Sequence, residues 1–132
     1  SAHEIALDRL RALAKEDLAA AGKIKLYYHR ISDILRHYIQ DRFSVRAPER
    51  TTEEFLEELA VNNTFTRSEK KTIEEFLMHC DLVKFAKYRP DPQSIDRTYK
   101  LVEEFVEKTK SDEIQIDITN RQLESAKVKM ER

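Results

Sequence analysis

The sequence predicts an all-α domain: a compact bundle of about five helices over residues 1–110, followed by a C-terminal appendage over residues 111–132. Three observations carry that prediction. One glycine (Gly22) and three prolines (Pro48, Pro90, Pro92) in 132 residues cannot supply the turns of a sandwich or barrel, nor a glycine-rich phosphate loop. Leu, Ile, Val and Phe together number 34, above the roughly 20% below which chains tend to stay disordered. Through most of residues 2–110 the apolar side chains recur at helical spacing.

Helix by helix, Ala6, Leu7, Leu10, Leu13, Ala14, Leu18 and Ala21 fall within an arc of about 140° at 100° per residue. A first helix is expected over 2–21, ending at Gly22, which takes a left-handed C-cap at no steric cost. A second is expected over about 23–43, its stripe made by Ile24, Tyr27, Tyr28, Ile31, Ile34, Leu35, Tyr38 and Ile39. Val45 to Arg50 holds Pro48 and reads as a loop. Thr51 with Glu54 and Thr66 with Glu69 are capping boxes that open a third helix over about 52–60 and a fourth after residue 66.

Helix four carries Ile73, Phe76, Leu77 and Cys80 on one face, but a straight continuation puts Lys84 on that face and Phe85 on the other side. Either the helix bends or restarts with Asp81 as a cap, or Lys84 is partly buried beside a carboxylate. Asp91 with Pro92 reads as N-cap and first position of a fifth helix, with Ile95, Tyr99, Val102, Phe105 and Val106 inward. Beyond it, Ile114, Ile116 and Ile118 alternate with polar residues as a half-exposed strand would. The tail is expected to be dispensable for folding, and its edge could pair two chains in a tail-mediated dimer.

Composition removes several function classes. Lys and Arg number 24 against 25 Asp and Glu, so no global field favours nucleic acid or anionic membrane. A single cysteine, Cys80, rules out an intramolecular disulfide and thiolate zinc clusters. The longest unbroken apolar run, Leu18 to Ala21, is far short of a membrane span.

The residues that could carry chemistry read mostly as structure. His29, Asp33 and His37 stand at i, i+4 and i+8 with ligand types that suit zinc, but on the side of helix two away from its apolar stripe, where a dry outer shell is hard to supply. His79, Cys80 and Asp81 have the residue types of a thiol nucleophile with its base, yet successive helical residues diverge by about 100°. The pairs Glu53–Glu54, Glu57–Glu58, Glu74–Glu75 and Glu103–Glu104 read as solvated faces. Residues 23–50 hold seven Lys or Arg against three acidic residues, interleaved with aromatics, and give the rival reading of a nucleic-acid-binding domain that uses the basic face of helix two. Residues 51–75 hold seven acidic against three basic residues, which opposes DNA binding by helices three and four. One basic and one acidic face suit the docking of another protein.

Three blocks, Tyr27-Tyr28-His29-Arg30-Ile31-Ser32-Asp33-Ile34-Leu35-Arg36-His37-Tyr38-Ile39 with Asp41-Arg42-Phe43, Thr51-Thr52-Glu53-Glu54-Phe55-Leu56, and Cys80-Asp81-Leu82-Val83-Lys84-Phe85-Ala86, resemble the C-terminal cytoplasmic domain of BatD-like bacterial membrane proteins. The opening Ala6-Leu7-Asp8-Arg9-Leu10-Arg11-Ala12-Leu13 is similar to that domain's first helix, so the resemblance covers about residues 4–108; the tail from Ser111 has no counterpart. It implies a parent with a transmembrane helix before residue 1, this piece lying on the cytoplasmic side of the inner membrane. It also implies protein partners, MoxR-type ATPases and von Willebrand factor A domain proteins, in envelope stress or aerotolerance. No catalysis, cofactor or metal is implied. Asp33, Arg36, Asp81 and Lys84 match polar positions of the family pattern and are expected as i, i+3 pairs on helix surfaces. The expected partner-binding surface is Asp81, Lys84, Lys87, Tyr88 and Arg89, where the helical period breaks beside a proline.

Overall fold

The computed structural model describes residues 1–46 and 49–131, and the side chains of these except residues 111–120 and 131. Its elements are α1 (Ala2–Glu16), α2 (Ile24–Phe43), α3 (Thr52–Ala60), α4 (Arg67–Phe85) and α5 (Pro92–Glu131). No strand occurs among the described residues. Pro48 lies outside the described residues.

The first helix stops earlier than its apolar stripe suggested. Asp17, not Gly22, caps α1, with φ 48° and ψ 46°; an aspartate tolerates the left-handed region better than most residues because its short side chain bonds locally. Leu18 to Gly22 then form a hydrogen-bonded turn in which the Lys23 amide donates to the Leu18 carbonyl at 2.8 Å. Gly22 is left-handed as well, at φ 76°. The turn keeps Leu18 buried while Ala14 and Ala21 are exposed. It folds α1 back antiparallel on α2, so that Glu16 at the end of α1 meets Arg30 near the start of α2 at 2.9 Å.

The centre of the bundle is α2, which packs against α1, α4 and α5. Tyr28, Ile31, Leu35, Tyr38 and Ile39 are almost wholly buried, as their spacing predicts. Both capping boxes form: Thr51 with Glu54 and Thr66 with Glu69 each exchange side-chain and backbone hydrogen bonds. Asp91 caps α5, accepting from the Ser94 amide at 2.7 Å.

Two tyrosine–threonine contacts lock α5 along α2. The Tyr38 hydroxyl donates to Thr109 Oγ1, whose own proton goes to the Phe105 carbonyl. About three helical turns away, the Tyr28 hydroxyl lies 3.4 Å from Thr98 Oγ1. Thr98 and Thr109 are buried among the predicted stripe residues Val102, Phe105 and Val106. Each phenol thus has a polar partner inside an apolar interface, as burial of a hydroxyl requires.

The strand expected over Ile114, Ile116 and Ile118 is not formed. The backbone continues as helix to Glu131, because a lone strand leaves its amides and carbonyls unpaired. Extending an existing helix satisfies them at the cost of propagation alone, and isoleucine is only a few tenths of a kcal/mol worse than alanine there. A tail-mediated dimer therefore loses the strand edge on which that expectation rested. Side chains 121–130 are all exposed, so truncation after Lys110 should leave the melting temperature nearly unchanged. A calorimetric melt that drops sharply on truncation would place the tail in the core.

Candidate functional site

The period break at Asp81 resolves without a restart: α4 runs through it to Phe85. Lys84 is accommodated by partial burial, its side chain only 9% exposed, with Nζ 3.8 Å from Asp81 Oδ1. Nζ also donates to Ser32 Oγ of α2 at 3.4 Å and lies 5.3 Å from the centre of the Phe85 ring. Lys84 thus ties α4 to α2, its stem covering apolar surface while its head reaches polar partners. Phe85 is thrown outward, 71% exposed.

Past Phe85 the chain turns through Lys87 in the left-handed region, φ 58°, and the amides of Ala86 and Tyr88 both donate to the Leu82 carbonyl at 3.1 Å. Pro90 is buried, whereas Lys87, Tyr88 and Arg89 face solvent. A non-glycine residue held left-handed costs on the order of 1–3 kcal/mol and persists only where its surroundings fix it. What fixes it is an aromatic chain from core to surface. The Tyr88 ring meets His79 edge-on at 5.8 Å, and His79 meets the buried Tyr28 at 5.4 Å.

Two grooves adjoin this junction and share Lys84 and Phe85 as a wall. One, of about 570 Å³, lies between α2, α4 and the start of α3, and brings together the family-pattern residues Asp33, Arg36, Asp81 and Lys84. The other, of about 460 Å³, is lined by Lys25, Lys84, Lys87, Tyr88 and Arg89 over a floor that includes Ile24 and Val83. The five predicted partner-binding residues are therefore adjacent but not equivalent. Asp81 and Lys84 form a half-buried pair facing both helices, and Lys87, Tyr88 and Arg89 form an exposed strap.

Arg36 corrects the expectation of a helix-surface pair with Asp33. It is 5% exposed and reaches across to α3, donating to the Arg50 carbonyl at 2.6 Å and to Thr52 Oγ1 at 2.8 Å. A guanidinium can enter the interior when its donors find acceptors, and here the Arg50 carbonyl and the Thr52 hydroxyl, at the start of α3, meet one donor of each terminal nitrogen.

The other candidates fall back into structure. Burial pushes the Cys80 thiol up to about 12, the opposite of an activated nucleophile, while His79 turns to Tyr28 and Asp81 to Lys84. His37 Nδ1 donates to the Asp33 carbonyl at 2.8 Å, and among the described residues no three His, Cys, Asp or Glu side chains are placed to hold a metal ion. Of the acidic pairs, Glu54 closes a capping box and Glu58 lies 3.4 Å from Arg50. Of the cations of residues 23–50, Arg30 is paired with Glu16, Arg36 is buried and Arg50 is paired with Glu58. No helix among the described residues is long and apolar enough to cross a membrane.

Burial holds the His79 imidazole below its ordinary value of 6.5. Burial, then the Lys84 and Lys25 charges, do the same for His29. As pH falls below 6.5 the unfolded chain binds these protons first, so stability declines with acidification. Replacing both histidines with glutamine should flatten the slope of urea-measured stability between about pH 7 and pH 5; an unchanged slope would assign it to other groups.

Sequence reasoning missed the exposed apolar residues Met78 and Leu82 on α4, which stand 54% and 51% exposed. Their signal was present as spacing with Phe85, hidden because a helix is expected to have one apolar face. No family model, no curated protein and no solved structure matches the chain.

Proposed function

We propose that this chain is a non-catalytic protein-interaction module. On the resemblance to BatD-like domains, it serves as the cytoplasmic module of a membrane-anchored bacterial protein that works with a MoxR-type ATPase and von Willebrand factor A domain proteins in envelope stress or aerotolerance. One observation carries the docking role. The strap Lys87-Tyr88-Arg89 is held outward in a left-handed turn, backed by ring contacts to the core, so cationic and aromatic groups are presented without loss of order on binding. Arginine and tyrosine are the side chains that most often anchor interfaces. The convergence of Asp33, Arg36, Asp81 and Lys84 on the adjoining groove supports the family reading, because these positions are scattered in sequence and shared with the pattern.

The experiment is a pull-down in which the immobilised chain is offered a purified MoxR-type ATPase and a purified von Willebrand factor A domain protein separately. Retention of either, competed by free chain, is the expected result. Retention of neither overturns the reading.

A further inference from the structure

The outer side of α4 is apolar where a bundle helix is ordinarily polar. Met78, Leu82 and Phe85, 54%, 51% and 71% exposed, stand at i, i+4 and i+7 within about 60° of one another at 100° per residue. They lie across the helix from the buried Ile73, Phe76, Leu77 and Cys80. The stripe spans roughly 10 Å, two turns of helix. It runs into the cationic groove at the end of α4, whose lining residues include Lys25, Lys84, Lys87 and Arg89 and no carboxylate. Lys84 is engaged with Asp81, but Lys25, Lys87 and Arg89 have no ion-pair partner among the described residues. At the other end of the stripe Glu74 and Glu75 are exposed. The surface is thus apolar along its length and cationic at one end, while at the other the exposed Glu74 and Glu75 stand beside the exposed Lys71.

Resting on the docking role above, we propose that this stripe and groove receive an amphipathic helical segment of a partner protein, apolar on one face and acidic at the end that lies over Lys87 and Arg89. The spacing of the stripe is that of a helix laid along a helix, read as i, i+4 and i+7 anchors. Charge selects the occupant. A flat anionic membrane would have to bring its surface over Glu74 and Glu75, only partly offset by Lys71, at the near end of the same stripe, whereas a helical segment can place its acidic end over Lys87 and Arg89 alone. The chain's own exposed helical segment, 121–130, carries Arg121, Lys127 and Lys129 against Glu124, so in a second copy it would bring like charge to the groove.

The test uses the full chain and a labelled synthetic peptide of about eighteen residues, long enough for appreciable helix, with leucines at i, i+4 and i+7 and three glutamates in its first turn. Fluorescence anisotropy should show saturable binding that weakens with salt. The exposed-residue variants Lys87→Glu with Arg89→Glu, and Leu82→Ser, should each weaken it by about tenfold or more, equivalent to about 1.4 kcal/mol, with unchanged melting temperature. The same peptide with lysines for glutamates should not bind. Equal binding of both peptides, or binding indifferent to the variants, would overturn the proposal. So would anionic phosphatidylglycerol vesicles that bind the chain when the peptide does not, or a concentration-dependent dimer that Lys87→Glu with Arg89→Glu abolishes. Capture of the ATPase with no peptide binding removes this inference and leaves the docking role; peptide binding with no ATPase capture does the reverse.

Discussion

Replacing Leu35 with alanine should cost about 2–5 kcal/mol of unfolding free energy. Leu35 is 1% exposed in the helix that touches α1, α4 and α5, so truncation leaves a cavity inside the bundle that its surroundings fill only in part. Ile31 and Ile39, four residues to either side, are wholly buried and hold the walls apart. Urea unfolding measures the loss, and a change below about 1 kcal/mol would remove Leu35 from the core.

Arg36→Ala is expected to be of comparable size, about 2–4 kcal/mol, since hydrogen bonds from a charged group contribute about 1.5–3 kcal/mol and their acceptors would be left unmet. The loss should appear as an uncoupling of α3: the Arg50 carbonyl and Thr52 Oγ1 lose their donors, and the guanidinium 5.8 Å from the Phe55 ring is gone. Arg36→Lys should fail to restore stability, because a single ammonium cannot reach both acceptors as the planar fork does. Hydrogen exchange in α3 would show the effect. Full rescue by lysine would mean that charge alone, not the fork, holds the loop to α2.

What the sequence made legible is what local chemistry determines. The start of α3 and of α4 follow from Thr51 with Glu54 and Thr66 with Glu69, because a capping box satisfies two amides from residues three positions apart. Asp91 with Pro92 marks the start of α5 for the same local reason. The end of α1 was not legible: Asp17 gives way to the turn that brings Leu18 into the core, a decision made by tertiary contacts. Arg36 looked like a surface charge because its acceptors, in the loop before α3 and at Thr52, are more than a dozen residues away. The tail's alternating isoleucines imitate a strand, yet no partner strand exists among the described residues to make one pay. At the candidate site, the disturbance near Asp81 was visible as a broken period, and partial burial of Lys84 beside a carboxylate was among the readings open there. Which residues remain exposed, Lys87, Tyr88, Arg89 and the α4 stripe, depends on the packing of α2 against α4.

The docking role proposed for the α4–α5 junction rests on its exposed strap, Lys87-Tyr88-Arg89. The most direct measurement records thermal unfolding and capture of the purified ATPase and von Willebrand factor A domain protein on the same samples of the native chain, Tyr88→Ala and Lys84→Ala. Tyr88→Ala, which also removes the ring contact to His79, should lower the melting temperature by no more than a few degrees and lose capture about tenfold or more. Lys84→Ala, which removes the tie to Ser32, should lower the melting temperature as well. Tyr88→Ala that melts early yet captures normally in its folded fraction would contradict the account, since the strap would then only hold the helices together.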